Sequence, residues 1–528
     1  MPNNPPMPNH LPDHMNITRR VFMGGAAAAA GLAFQDLAHA QTASGTLTVG
    51  VPADLLSLDP ANANDTLSQS TARLMLEGLL GFDHQMKVIP QLAESYTAND
   101  NATEFTFHLR QGIQFHDGTP FDAAAVKANF ERIADPANHL KRFSLLAMLD
   151  HVEAVDEHTA KCVLKTPFGA FAPTVAHPSL QMHSPAAIKQ YGAELGRHPV
   201  GTGPFVFASW VPDTLKVTRN PKYWRPGLPH LDAVTVRSNP EDGARMAMLQ
   251  AGEAQFIFPV PAQLAKIVSA NPKLALHNDP SIYAFYAAMN VMKKPFDDVR
   301  VRQALNYAVD KATLIRVVYN GFAKPLDSAE PPQITFYQKQ NPYPYDPAKA
   351  KQLLAEAGYK NGFETKIWGG NQTIRVTAMQ FMQQQLAAVG VKATVEPLEA
   401  GVLDQRIWSV QKPEESGLEM YMGQWSSSTG DADWALRPLF ATAGFPPHLY
   451  NVGYYSNPAV DKAIDGALQT ADPEKRGAFY ATAQAQIWKD APWIFLAVPD
   501  NLNGQAKDLQ GADLLPDGGL AIGDSKLA

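Results

Sequence analysis

Between Gly423 and Phe440 the chain reads GQWSSSTGDADWALRPLF, a concentration of groups suited to holding a polar small molecule. Trp425 and Trp434 offer flat contact area, Ser426, Ser427, Ser428 and Thr429 offer hydroxyls, and Asp431 and Asp433 offer carboxylates that can neutralise a cation. Gly430 permits a sharp turn between the hydroxyl run and the acids. Two readings of the acids compete with ligand binding. They could form an acid/base pair, or one of them could start a helix, because DWALRPLF has the pattern of a helix start.

A second polar stretch, NANDTLSQS, follows an alternating strand (Leu47, Val49, Val51) and leads into the apolar run TARLMLEGLLGF, read as a helix. Polar loops at strand ends that feed helices are where open α/β sheets bind ligands. Asn64, Asp65, Thr66 and Ser68 are therefore candidates, with Asp65 or Thr66 alternatively capping the helix. No H-E-x-x-H, C-x-x-C, G-x-S-x-G or Walker loop is present, so no positive case for catalysis or a metal centre arises. Gly201-Thr202-Gly203 runs into Pro204 and reads as a turn. His177 and His183 fit no usual ligand spacing and read as surface or core residues.

The elements that must position these groups belong to a chain of 528 residues, long enough for two or three domains. A net charge of −7 without a basic run argues against nucleic acid as a partner. The one cysteine, Cys162, lies in the alternating segment TAKCVLK and reads as a buried structural thiol. At the start, TRRVFM (Thr18 to Met23), an Ala/Gly-rich apolar run and Ala38-His39-Ala40 form a twin-arginine export segment with a cleavage signature, giving a mature chain from Gln41 and a periplasmic location. The apolar run, Val21 to Phe34, is shorter than the roughly 17–25 residues that span a bilayer. Met15 is an alternative start to Met1.

Further along, Phe105, Phe107 and Leu109 alternate as a strand, Asp117-Gly118 turns, and Asp122 caps a helix bearing Val126, Phe130 and Ile133; the whole reads as a hairpin leading to a helix. VRVRQALNYAVDKATLIRVV reads as one helical stripe capped by Asp297 or Asp298. DPAKAKQLLAEAG carries a full start and stop signal, Asp346, Pro347 and Gly358. A helix ending at Gly390, the strand VKATVEP, a helix starting at Asp472-Pro473 and the buried strand WIFLAV complete an alternating α/β pattern.

Several blocks resemble the extracellular solute-binding proteins of peptide and nickel importers: FTFHLRQGIQFHDGTPFDAAAV, HPVGTGPF (198–205), FDDVRVRQALNYAVDKATLI (296–315) and YDPAKAKQLLAEAGY (345–359). The resemblance covers nearly all of residues 45 to 515. It implies an α/β, two-lobed periplasmic binding protein fold of the peptide-binding class with an extra subdomain in the first lobe. Lobe 1 is expected over 41–285 with the subdomain at about 77–195, lobe 2 over 286–498, and a tail, 499–528, returning to lobe 1.

The resemblance further implies a non-enzymatic, cofactor-free monomer. It would capture a short peptide such as glutathione by lobe closure and deliver it to a transmembrane ABC permease driven by separate ATPase subunits. Other cargoes of the fold are dipeptides, oligopeptides, haem or a nickel chelate, and an exported hydrolase is the rival class. A glutathione-like peptide carries one ammonium and two carboxylates, so the site needs an acid and cationic donors. The resemblance implies Asp431 for the ammonium, with Asp433 as alternative. Arg142, in HLKRF, is nominated for a carboxylate, Trp425 for an apolar stem, Thr66 and Ser68 for polar contacts, and Tyr283 and Asn290 near the lobe crossover. Arg73 and Arg375 are further cations.

Overall fold

The computed structural model describes residues 45–528, which form one compact unit. The export segment and its cleavage site lie outside the described residues.

A twelve-stranded sheet is the frame. Its centre is the strand Trp493–Ala506, which is fourteen residues long and serves two sets of partners. Its first half pairs antiparallel with Tyr283–Met289, which pairs in turn with Met420–Ser426. Its second half pairs with Phe256–Ile257 and Leu274–Pro280. Thr46–Val51 then extends the sheet in parallel from Phe256–Ile257 to Ala233–Ser238. One continuous strand thus carries the chain from the half built of residues 283–426 to the half built of residues 46–280. Trp493 to Ala497 are all nearly inaccessible, which explains an uninterrupted apolar run where a half-exposed strand would alternate.

A separate four-stranded antiparallel sheet, Ala93–Ala98, Glu104–Leu109, Thr159–Leu164 and Leu149–Asp156, is packed by the helix Ala123–Ala134. Phe105, Phe107 and Leu109 point inward as their alternation requires, and Cys162 is buried opposite Phe105. Burial drives the Cys162 thiol far above its ordinary range, as befits a structural thiol. Asp122 caps the helix by accepting from Ala125 N at 2.8 Å. The expected hairpin is shorter than its pattern suggests. After Leu109 only a single bridge forms, Gln114 with Pro120, because Asp117 turns back onto Thr119 and Ser184. Together these elements form a second sheet-and-helix layer beside the twelve-stranded frame of a mixed α/β chain.

Two helices differ from expectation for a local reason. The run from Val299 to Tyr319 is two helices, Val299–Ala308 and Lys311–Tyr319, because Val309 is extended and Asp310 starts a new helix by accepting from Thr313 N. Asp298 caps the first of them. The helix forms instead on the polar stretch, Thr66–Ala72, so only the first two residues of the apolar run TARLMLEGLLGF are helical, and its end, Leu80–Phe82, is a strand. The chain turns between them because the Gly201-Thr202-Gly203 segment packs on its backbone: a Cβ on Gly201 would lie 2.2 Å from the Met75 carbonyl oxygen. The remaining starts and stops hold, with Asp346 and Asp472 capping their helices and Gly358 and Gly390 at positive φ beyond the ends.

His183 is fully buried beside the Asp59–Arg132 ion pair, 3.7 Å from Asp59. Burial lowers its pKa from 6.5 to about 4. The folded state therefore keeps this imidazole neutral while the unfolded chain protonates it below pH 6.5, so stability rises with pH between about 4 and 6.5. The contribution is on the order of 3 kcal/mol across that interval. Thermal melts of wild type and His183→Gln at pH 7 and pH 4.5 should show a clearly smaller acid-induced drop in Tm for the variant.

Candidate functional site

Five segments from distant parts of the sequence meet along one polar seam. The first is the helix Thr66–Ala72. Asp65 caps it, its Oδ1 accepting from Ser68 N at 2.7 Å, while its Oδ2 is buried without a protein partner. At the other end of this short helix Arg73 reaches Asp517, with Nη2 to Oδ2 at 3.2 Å, and its Nη1 is buried without a partner. The second segment is the tail loop 517–519, held by Asp517 Oδ1 accepting from Gly519 N at 2.8 Å. The loop packs closely on the arginine, and a Cβ at Gly519 would lie 2.7 Å from Arg73 Nη1.

Tyr283, at the first position of its strand, joins the two sides. Its hydroxyl donates to the Asp517 carbonyl at 3.0 Å, with the hydroxyls of Thr66 and Ser426 alongside. Burial, together with the Asp517 charge, pushes the phenol up to about 12, so it acts as a neutral donor.

The hydroxyl run supplies the facing wall. It follows directly from the strand Met420–Ser426, so the sheet fixes where it begins. The hydroxyl oxygens of Ser426, Ser427 and Thr429 are all buried and lack protein partners. Ser428 instead meets His177, with Nε2 to Oγ at 3.0 Å. His177 Nδ1 accepts from Ser179 N at 3.1 Å, which leaves Nε2–H as the donor to Ser428. Burial, reinforced by the nearby Arg142 and Arg73 charges, holds this imidazole well below the usual range and therefore neutral. Gly430 closes the loop at a φ of +64°, and a Cβ there would lie 2.7 Å from the Met86 carbonyl.

At the far end of the seam Arg142 donates through Nε to the Ala63 carbonyl at 3.1 Å and through Nη2 to the Asn64 carbonyl at 3.3 Å. Tyr450 and Asp65 lie close enough to favour its charge, although burial is the larger effect and lowers its pKa. Trp425 completes this end. Its Nε1 donates to the Trp434 carbonyl at 2.7 Å, and its ring lies 5.0 Å from that of Tyr450.

Of the expected site residues, Trp425, Arg142, Thr66 and Tyr283 thus converge, and four do not. Asp431 caps the helix Ala432–Phe440, and both of its oxygens are taken by Arg476, at 2.9 and 2.7 Å, in a buried bidentate pair. Asp433 is paired in the same way with Arg437 one turn on, at 2.8 Å twice. Both carboxylates are engaged by arginines and serve the helix start, as the competing reading of DWALRPLF has it. Ser68 is inaccessible and its Oγ accepts from Leu56 N, fixing the loop before the helix. Asn290 is inaccessible too, tying the end of its strand to Leu418 and Met292. Tyr283 opens the strand Tyr283–Met289 and Asn290 follows its end, roughly 23 Å away at about 3.3 Å per residue.

Sequence reasoning passed over Asp517 and His177 and gave Arg73 and Asp65 lesser weight. The Asp517-Gly518-Gly519 turn reads only as a turn until the tail is known to fold back. Arg375 lies elsewhere, beside Tyr421.

A cleft of about 1450 Å³ is lined by Tyr96, Pro332–Phe336, Asp431 and Arg476 among others, and by none of Thr66, Arg73, Arg142, Tyr283 or Trp425. A smaller cavity of about 340 Å³ is lined by Ser70, Arg73 and His177 and opens onto the seam's first wall. Unpartnered buried groups occur in both places: Asp65 Oδ2, Arg73 Nη1 and the hydroxyls of Ser426, Ser427 and Thr429 at the seam, and Gln333 Oε1, Arg476 Nε and the Glu330 carboxyl at or beside the large cleft, where the Asp431–Arg476 charges neutralise each other.

The family model for the middle region of bacterial extracellular solute-binding proteins, family 5, matches residues 87–446. The chain is 46% identical over 517 residues to a glutathione-binding protein of Pectobacterium atrosepticum, covering 97% of this chain and 99% of that protein. It is 46% identical over 503 residues to the glutathione-binding protein of Escherichia coli K12, covering 94% and 98%. Among solved structures it resembles HbpA2 from Haemophilus parasuis, with a TM-score of 0.82, 28% identity and coverage of 92% and 100%. It also resembles the periplasmic binding protein DppA from Helicobacter pylori in complex with the peptide STSA, with a TM-score of 0.75, 28% identity and coverage of 92% and 98%. These relatives are binding proteins rather than enzymes, and the chain belongs to family 5 of the bacterial extracellular solute-binding proteins, the solute-capturing components of ABC importers.

Proposed function

We propose that this protein captures glutathione, or a short peptide of similar charge, in the seam between its lobes and presents the closed form to a membrane permease. The observation that carries the reading is the set of buried, unpartnered polar groups lining the seam: Arg73 Nη1, Asp65 Oδ2 and the hydroxyls of Ser426, Ser427 and Thr429. Buried polar atoms without partners are costly. A peptide with two carboxylates, one ammonium and two amides complements them group for group. Arg73 and Arg142 supply the cations for the carboxylates, and Asp65 supplies the acid for the ammonium. The serine–threonine run addresses the amides, while Trp425 and Tyr450 cover the apolar part.

Residues 65–73, 142 and 517 lie on one wall and residues 283 and 425–429 on the other. A ligand that bridges them favours closure, because only the closed form offers both sets of contacts. Export by the twin-arginine segment, cleavage before Gln41 and a monomeric state belong to the same reading. Calorimetric titration of the protein purified from the periplasm tests it. Glutathione should bind one to one to a monomer whose first residue is Gln41. Absence of saturable heat with glutathione, alongside binding of a dipeptide, would reassign the cargo.

A further inference from the structure

Away from the seam, the strand Leu274–Pro280 carries His277 and Asp279 two residues apart and hence on one face. Asp513, from the short tail strand Asp513–Leu514, folds over that face. One ligating atom from each of His277, Asp279 and Asp513 lies within 4.8 Å of the others. His84, from the 83–87 turn, adds a second imidazole, its Nδ1 3.4 Å from Asp513 Oδ2. Two carboxylates and two imidazoles thus arrive from three parts of the chain that are far apart in sequence.

The groups behind them point to a ligand independently. Asn503 stands directly opposite His277 in the sheet register, and Gln505 stands opposite Ala275, two positions along the same face. The Asn503 amide donates to Asp279 Oδ2 at 3.4 Å, and the Gln505 amide meets His277 Nε2 at 2.5 Å. Both residues are more than nine-tenths buried, yet Asn503 Oδ1 and Gln505 Oε1 have no protein partner. Turning the Gln505 amide over places Oε1 on His277 Nε2–H and leaves the other ring nitrogen a free ligand. Amide carbonyls play this supporting role behind metal-bound histidines. His84, Asp279 and Asp513 line the 1450 Å³ cleft, so an ion reaches them from solvent.

We infer that His277, Asp279 and Asp513, with His84 in reach, form a divalent-cation site for a first-row ion of the zinc class. Mixed imidazole and carboxylate donors suit such an ion, and water would complete its coordination. The bound ion clips the C-terminal tail to the strand Leu274–Pro280. None of its ligands belongs to the peptide seam, so the inference stands or falls separately from the cargo.

The test is titration of the chelator-treated full chain with zinc chloride by calorimetry, with thermal unfolding in parallel. One saturable zinc per chain and a raised Tm are expected. Asp279→Asn combined with Asp513→Asn should weaken zinc binding on the order of 100-fold and abolish the rise in Tm. His277→Ala, which leaves the carboxylates in place, should weaken it as well. Zinc binding that survives in both variants places the ion on histidines elsewhere and overturns the inference, as does the absence of saturable binding. Calcium binding more tightly than zinc would overturn the assignment to the zinc class.

Discussion

Replacing Asp431 by asparagine is expected to destabilise the protein by about 3–5 kcal/mol and to leave its affinity for glutathione unchanged. The carboxylate is 1% exposed and holds Arg476, itself 6% exposed, through two hydrogen bonds. Without it a guanidinium stays buried with no counter-charge, and an ion pair broken on one side costs more than the pair contributes when intact. Arg476 has few alternatives. Its Nε has no partner, and it lies 5.1 Å from the Phe336 ring and 5.4 Å from that of Tyr480. Glu330, close by and inaccessible, has both carboxyl oxygens unpartnered, and burial by itself raises its pKa, so it is a poor substitute counter-ion. Denaturant unfolding of Asp431→Asn, and of Asp431→Leu with Arg476→Met, distinguishes this from a ligand role. The double replacement removes both charges and should recover part of the lost stability. A drop in affinity without loss of stability would return Asp431 to the binding site.

Arg73→Gln should have a different signature, a loss of affinity for glutathione of about 2–5 kcal/mol, or roughly 30-fold and more, together with some loss of stability because Asp517, 2% exposed, loses its counter-charge. Arg73 has one guanidinium nitrogen on Asp517 and another buried without a protein partner. Glutamine keeps a donor for Asp517 but presents no charge to a carboxylate. Asp517 also accepts from Gly519 N, so the tail loop keeps its anchor. Affinity equal to wild type would remove Arg73 from the carboxylate site.

The contrast between these substitutions marks what the sequence made legible. Periodicity and caps are local, so the elements followed from it: Asp122, Asp346 and Asp472 each cap the helix their spacing indicates. Local signals misled where a neighbour from elsewhere intervened, as where the Gly201–Gly203 segment packs on Met75. The hydroxyl run at 426–429 was legible as a candidate binding wall because so many polar groups in one loop suggest little local structural use. The role of its two acids was not, because the arginine that claims Asp431 sits 45 residues away on another helix. Tyr283 and Asn290 looked equivalent in sequence, yet the strand between them separates them by its own length. Asp517 and His177 join the site only through tertiary contacts with Arg73 and Ser428, and no spacing could announce them.

Two regions could hold the peptide, and a crystal structure of the glutathione complex distinguishes them directly. Ligand density is expected in the seam, with a carboxylate within hydrogen-bond distance of Arg73 or Arg142 and an amide on the Ser426–Thr429 run, while Asp431 remains on Arg476. Density instead in the large cleft beside Tyr96, with Asp431 released from Arg476 onto the ligand ammonium, would contradict that expectation.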